Sequence, residues 1–214
     1  MKRIPLLSTL LVILLLGAVP SIRAATAPEK AEKVASKMLK SKEAIEAAST
    51  QIDATLKSMN DMAVAKGPDL KARYGAFTKN VDKLESMAKT ARSNADKARK
   101  DRDAYLKKWE SAQKDIQNEQ LKQASKARRD ELVPKIDALK DAASSVKETF
   151  VPFMQSLHDL ELYLGNDLSE RGMATASDLM NKVNADGEKL RADLATATAT
   201  YTQLAAALSP SAAK

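Results

Sequence analysis

Apolar residues recur along most of this chain at alternating spacings of four and three. This is the pattern of helices that bury one narrow stripe against other helices. We call each uninterrupted run of such positions a seam. The longest seam predicts one continuous helix over about 69–117, and its positions are Leu70, Tyr74, Phe77, Val81, Leu84, Ala88, Ala91, Ala95, Ala98, Arg102, Tyr105, Trp109, Ala112 and Ile116.

Three further seams predict three more helices, which cover about 29–65, 119–165 and 169–208. Gly67 and Pro68 force a tight reversal before the longest helix, with Asp69 as its expected N-cap. Asn118 and Ser169 are the expected N-caps of the two helices that follow. Short connections make consecutive helices antiparallel neighbours. The sequence therefore predicts an all-α fold, an elongated antiparallel four-helix coiled-coil bundle with up-down-up-down topology.

Two prolines, Pro134 and Pro152, lie inside the predicted third helix. Each removes a backbone hydrogen bond, so we expect a bend at both positions. At Pro134 the alternative is that a new helix starts there. Folding the predicted hairpins about their turns also brings Phe150 level with Gly187, so that the largest seam side chain faces the smallest.

The first residues have the three parts of a secretory signal peptide. Lys2 and Arg3 precede an apolar run over 6–19, and cleavage is expected after Ala24. The sequence thus predicts a signal peptide over 1–24, a single helical bundle over 25–208 and a disordered tail over 209–214. An uncleaved anchor is the alternative, but the run would span about 20 Å against about 30 Å of hydrocarbon. We expect an exported protein, periplasmic or secreted and soluble after cleavage.

Composition narrows the class of protein further. The chain of 214 residues contains no cysteine, which excludes disulfides and thiolate chemistry. Its formal net charge of +7 falls to +4 when residues 1–24 are removed, because that segment carries three basic residues and no acid. The mature chain is therefore only mildly basic, and it has to gain its stability from burial.

Five short stretches between about residues 37 and 208 carry a resemblance to a known family. They are Gly67-Pro68-Asp69-Leu70 with Tyr74 and Phe77, Trp109-Glu110, Asn118 with Leu121, Val151-Pro152-Phe153, and Leu162-Tyr163-Leu164 with Asn166 and Leu168. In these stretches the chain resembles an uncharacterised bacterial family of exported helical proteins, domain of unknown function 2959. The resemblance implies no reaction, cofactor or ligand residues. Many members look like lipoproteins, but this chain lacks the cysteine, so the resemblance does not imply a lipid anchor here.

Candidate catalytic residues are few. His158 is the sole histidine and has Asp159 and Glu161 beside it, which is poor spacing for zinc without a second soft ligand. Glu161, Asp167 and Glu170 are candidates for paired carboxylates in general acid–base catalysis. The alternative is that these acids favour a helix N-terminus, where a negative charge interacts favourably with the helix dipole. No glycine-rich phosphate loop is present, and no histidine is placed to activate a serine. We expect no enzymatic activity, cofactor, metal or small-molecule substrate.

Charge is distributed unevenly along the predicted rod. Residues 97–129 hold eleven basic side chains against five acidic ones, whereas the turn near 159–170 is acidic. A basic end could contact an anionic membrane surface or another polyanion of the envelope, since each nearby Lys or Arg adds about 1 kcal/mol at an anionic surface. The alternative is a solvated face with ion pairs at i and i+4. The candidate contact residues are Lys107, Lys108, Lys114, Lys122, Lys126, Arg128 and Arg129.

The leading hypothesis is a non-catalytic extracytoplasmic rod that acts as an envelope scaffold, spacer or binding module. Its expected partner is an envelope protein or an anionic membrane surface, and the oligomeric state stays open. Nucleic acid is not expected, because export removes the chain from it and the nearby aromatics Tyr105 and Trp109 belong to the seam. The alternative is a holdase-like chaperone or partner-binding coiled coil that grips clients through the segment Met59–Met62.

Overall fold

The computed structural model of this protein describes residues 27–209, with side chains from Pro28 onward. Over that range the chain forms four long helices and one short helix, and no strand. The helices are α1 (Ala27–Ala63), α2 (Pro68–Lys114), α3 (Glu119–Asp130), α4 (Val133–Asn166) and α5 (Glu170–Leu208). The predicted signal peptide lies outside the described residues, as do 210–214 of the predicted tail. Ser209, the first residue of that tail, is described and buried.

Two of the three predicted N-caps are confirmed. Asn118 Oδ1 accepts a hydrogen bond from the Leu121 amide at 3.0 Å, so this N-cap is confirmed. Ser169 Oγ likewise accepts from the Gly172 amide at 3.0 Å. The prediction for Asp69 is wrong, because the N-cap of α2 is Gly67, whose φ of 55° suits glycine, and Pro68 occupies the first turn.

The predicted third helix is two helices, because the chain is interrupted between Asp130 and Val133. Pro134 lies in the first turn of α4, where its missing amide costs no hydrogen bond that the helix would otherwise make. The alternative of a new helix at this proline is therefore the correct one. By contrast, α4 continues through Pro152, which is exposed.

The core lies where the seams meet. In α5 every seam position from Ala176 to Leu208 is buried, at spacings that alternate strictly between four and three. Phe77 of α2 and Phe153 of α4 are among the largest side chains with no exposed surface. Apolar burial of this kind contributes about 25 cal/mol for each Å² removed from water, which makes it the main stabilising term of the bundle.

Polar contacts between helices show how the helices are paired. Along α1 and α2, early residues of one helix meet late residues of the other. The contacts are the ion pair of Lys37 with Asp101, the hydrogen bond from Gln51 Nε2 to Asn80 Oδ1 (2.9 Å) and the ion pair of Arg73 with Asp61 (3.9 Å). α5 contacts α1 through Arg191 and Asp53 (2.7 Å) and α4 through Thr149 and Asp193 (2.6 Å). α1 thus packs along both α2 and α5, and α5 along both α1 and α4.

A close approach of three helices surrounds Gly187. A Cβ atom at this position would lie 2.6 Å from Leu56 Cδ1 of α1 and 3.3 Å from Phe153 Cε2 of α4. Phe153 rather than Phe150 therefore provides the nearest ring, three residues further along α4, and Phe150 is only half-buried. The predicted pairing of Phe150 with Gly187 is therefore wrong by about one helical turn.

Candidate contact surface at the basic end of the bundle

The basic end of the bundle consists of the last turns of α2, the loop over 115–118 and α3. All seven cations predicted as contact residues lie here. Lys122 and Arg129 are half-buried, and the other five are exposed. The helices bring them together because α3 turns back along the end of α2: Trp109 Nε1 donates to Ser125 Oγ at 2.9 Å, and Gln113 Nε2 donates to the Lys122 carbonyl at 3.2 Å.

The seven cations fall into two groups by their partners. Three are held in ion pairs, namely Lys126 with Asp130 (2.8 Å), Arg128 with Glu131 (2.7 Å) and Arg129 with Glu110 (3.4 Å). The hydrogen bond from Lys126 holds the pKa of Asp130 below its ordinary value. The other four, Lys107, Lys108, Lys114 and Lys122, form no ion pair with any residue of the described chain. Of the seven predicted contact cations, these four lysines are therefore the ones that form no ion pair with a nearby acid.

α3 is attached to the bundle mainly by polar contacts. It has no buried residue, and Leu121 on its first turn is 62% exposed. Besides the two hydrogen bonds to α2, Arg128 Nη2 donates to the carbonyl of Ala207 at 2.6 Å, which ties α3 to the end of α5. The first strongly buried side chain after α3 is Leu132, at the junction with α4.

An open cleft of about 760 Å³ lies beside α3. Its walls come from the start of α1, the last turns of α2, Arg128 of α3 and the end of α5. Tyr105 and Trp109 form the aromatic part of the wall, with ring centroids 5.9 Å apart and planes tilted by 55°. Burial raises the pKa of Tyr105 above its ordinary value.

The seam pattern did not predict this cleft. It assigned Tyr105, Trp109 and Ala112 to a buried stripe, but the first two are half-buried and Ala112 is exposed. The reason is the position of the neighbouring helix ends, since in the described chain the first turn of α1 and the last turn of α5 line the cleft beside these α2 residues. In the sequence, the one signal for the cleft is that the seam of α2 contains more positions than the seams of the helices that pack against it.

The opposite, acidic end holds the remaining candidate residues. Burial raises the pKa of Glu161, Asp82 and Glu85 of α2 raise it further, and His158 opposes the shift. Tyr74 Oη of α2 donates to the Glu161 carbonyl of α4 at 2.8 Å. His158 itself is exposed on α4. Among the described residues, no group of three or more histidines and acids is arranged to hold a metal ion.

The other two candidate acids belong to the turn between α4 and α5. Asp167 Oδ1 accepts a hydrogen bond from Ser169 Oγ at 2.6 Å, and its main-chain carbonyl closely approaches Gly172. Glu170 is exposed in the first turn of α5, where a negative charge favours the helix dipole. Asp167 is thus the C-cap of α4, and Glu170 lies in the first turn of α5.

The structure also places Arg102 of the longest seam and the methionines of the holdase alternative. The Arg102 guanidinium is buried and bonds to Asp103 Oδ1 at 2.6 Å and 2.8 Å, so a neighbouring acid in the same helix compensates it. Met59 and Met62 have no exposed surface. In this conformation neither methionine is accessible to a client.

Comparison with known proteins adds one finding. A family model described as protein of unknown function (DUF2959) matches residues 24–208. No curated protein and no solved structure matches the chain. Among the described helices, none combines the length and the apolar character that crossing a bilayer requires.

Proposed function

Since this chain belongs to the DUF2959 family of proteins of unknown function, which brings no reaction with it, we propose a function from its geometry. The protein is a non-catalytic, extracytoplasmic helical rod that serves the cell envelope as a scaffold, spacer or binding module. Its basic end makes the contact, with an anionic membrane surface as the partner. The observation that carries the proposal is the set of four lysines at one end of the bundle without an ion pair in the described chain.

The proposed topology is up-down-up-down for the four long helices, with coiled-coil packing. Support comes from the reversed order of the contacts between α1 and α2 and from α5, where Asn184 bonds to Asn60 (3.0 Å) and Arg191 to Asp53 (2.7 Å). The buried seam positions of α5 alternate strictly at spacings of four and three, which is the pattern expected for knobs-into-holes packing. Such a topology puts the two hairpin turns that follow α1 and α4 at the end opposite α3, so the rod has one basic and one acidic end.

Export is proposed from the sequence. The segment over 1–24 has the charge and apolar run of a signal peptide, and the mature chain contains no cysteine for a disulfide or a lipid anchor. An envelope location would place the basic end within reach of anionic headgroups, to which each nearby Lys contributes about 1 kcal/mol.

Liposome sedimentation tests the contact surface. We expect binding to phosphatidylglycerol vesicles, little binding to phosphatidylcholine vesicles, and a loss of binding at high salt because exposed charges are screened. The variant Lys107→Gln/Lys114→Gln/Lys122→Gln should bind about a hundredfold more weakly, at about 1 kcal/mol for each charge removed.

A matched control removes the same charge from the other half of α2. Lys71, Lys79 and Lys83 are exposed and form no ion pair in the described chain, so Lys71→Gln/Lys79→Gln/Lys83→Gln should keep the affinity of the parent protein. Equal binding to the two lipids, or an equal loss in the two triple variants, would contradict a contact through the basic end.

The holdase alternative gains no specific support from the described residues. It requires Met59 and Met62 to reach a client, but both are buried in the core. A client would therefore have to compete with the packing of α1 against α2 and α5. Suppression of the aggregation of a heat-denatured client at equimolar concentration would favour this alternative over the rod.

A further inference from the structure

We propose that the cleft at the basic end binds a single-chain amphiphile with an anionic head, a fatty-acid carboxylate. This inference goes beyond the membrane contact proposed above and does not depend on it. The walls of the cleft are mostly apolar, and three cations are among the lining residues. Sites for small ligands share this composition and have volumes of about 300–1,000 Å³, a range that includes this cleft of about 760 Å³.

The apolar part of the wall is held in a fixed geometry. The Trp109 indole donates to Ser125 Oγ at 2.9 Å, which fixes the ring, and Tyr105 packs against it at 5.9 Å between centroids. Ala31, Ala112 and Leu208 add aliphatic surface from three different helices. An acyl chain lying on these side chains would remove apolar surface from water on both sides of the contact.

The charged lining residues select the sign of the head group. Lys30, Lys108 and Arg128 line the cleft, against Glu32 as its one acid among the described lining residues. Arg128 is already engaged by Glu131 and by the Ala207 carbonyl, whereas Lys30 and Lys108 form no ion pair in the described chain. Two lysines beside an apolar wall suit a carboxylate head on an acyl chain, and they repel a cationic head.

Trp109 is the sole tryptophan of the sequence, so its fluorescence reports on the cleft directly. Laurate, titrated below its micelle concentration, should shift the emission to shorter wavelength in a saturable way, with one site by calorimetry. Dodecyltrimethylammonium, which has the same chain length and the opposite charge, should bind about tenfold more weakly or worse.

Two pairs of variants test the location. Ala112→Leu fills the cleft and should weaken laurate binding about tenfold, whereas Ala104→Leu, exposed on the same helix outside the cleft, should not. Lys108→Gln should weaken binding by about fivefold, the upper range for one partly exposed ion pair, whereas Lys100→Gln should leave it unchanged. Circular dichroism checks that the variants keep their helix content.

The outcomes separate this inference from the proposed membrane contact. Absence of a saturable change in Trp109 emission, equal effects within either pair of variants, or equal binding of the cationic amphiphile would overturn the cleft assignment. None of these results bears on liposome binding through Lys107, Lys114 and Lys122, which do not line the cleft.

Discussion

At the scale of single residues, Gly187 decides how closely three helices approach. A glycine inside a helix costs about 1 kcal/mol relative to alanine. Here its missing side chain leaves room for Leu56 and Phe153, which would lie 2.6 Å and 3.3 Å from a Cβ atom. Both neighbours are buried, so they have little space into which to move. Gly75 in α2 offers a contrast, because nothing lies within 4 Å of its ideal Cβ position.

Alanine at these two glycines should change stability in opposite directions. Gly187→Ala should lower the free energy of unfolding by about 1–3 kcal/mol through overpacking. Gly75→Ala should raise it by about 0.5–1 kcal/mol, since only helix propensity changes. Urea unfolding followed by circular dichroism measures both. In a Leu56→Ala background the penalty at Gly187 should shrink by about 1 kcal/mol or more, and an unchanged penalty there would refute this packing contact.

At the scale of helices, α3 differs from the four long helices. Twelve residues make an isolated helix marginal in water, and every residue of this one is either half-buried or exposed. What holds it are the Asn118 cap, the hydrogen bonds to α2 and the contact of Arg128 with α5. Helix α3 carries Arg128, which lines the cleft, and Ser125, which fixes the Trp109 ring, so its opening would change the proposed site.

Amide hydrogen exchange should therefore distinguish α3 from the core. Amides of 119–130 should exchange about a hundredfold faster than those of 153–164 in α4, because local opening of α3 exposes little apolar surface. Mass spectrometry of peptic fragments at neutral pH measures the two segments in one sample, with 190–204 of α5 as the protected reference. Equal protection in α3 and α4 would mean that α3 unfolds only with the whole bundle.

At the scale of the whole molecule, the length of α2 sets the shape. Its 47 residues span about 70 Å at 1.5 Å per residue. In the described chain α1 packs along α2 and α5 along α4, and the described ends of α1 and α5 line the cleft beside α3 at the basic end. Charge varies along the same axis, because Lys107, Lys108, Lys114 and Lys122 lie at one end and Asp82, Glu85 and Glu161 lie toward the other.

Small-angle scattering of the mature chain should confirm an elongated particle. The radius of gyration should exceed about 20 Å at monomer mass, whereas a globular protein of this size has about 16 Å. The forward intensity over a concentration series gives the mass and so separates elongation from self-association. A monomer near the globular value would be incompatible with the extended bundle.

The sequence by itself determined the features that depend on neighbours along the chain. The seams predicted the long helices, and Asn118 and Ser169 predicted two N-caps, because capping and backbone hydrogen bonding are local. At Pro134 the leading expectation is a bend within one helix, and the start of α4 there is the alternative. Only the tertiary structure decided where each helix ends relative to its partners. A shift of one turn exchanges Phe150 for Phe153 beside Gly187 without altering the seam pattern.

The cleft and the ion pairs of the basic end are also features that only the tertiary structure decided. Arg128 contacts the Ala207 carbonyl across 79 positions of sequence, and Lys30 and Leu208 come from opposite ends of the described chain. Such contacts depend on small register offsets that accumulate over four helices, and the spacing of apolar residues does not record those offsets. Periodicity therefore determined that the helices pack, and the relative positions of their ends decided where the cleft lies.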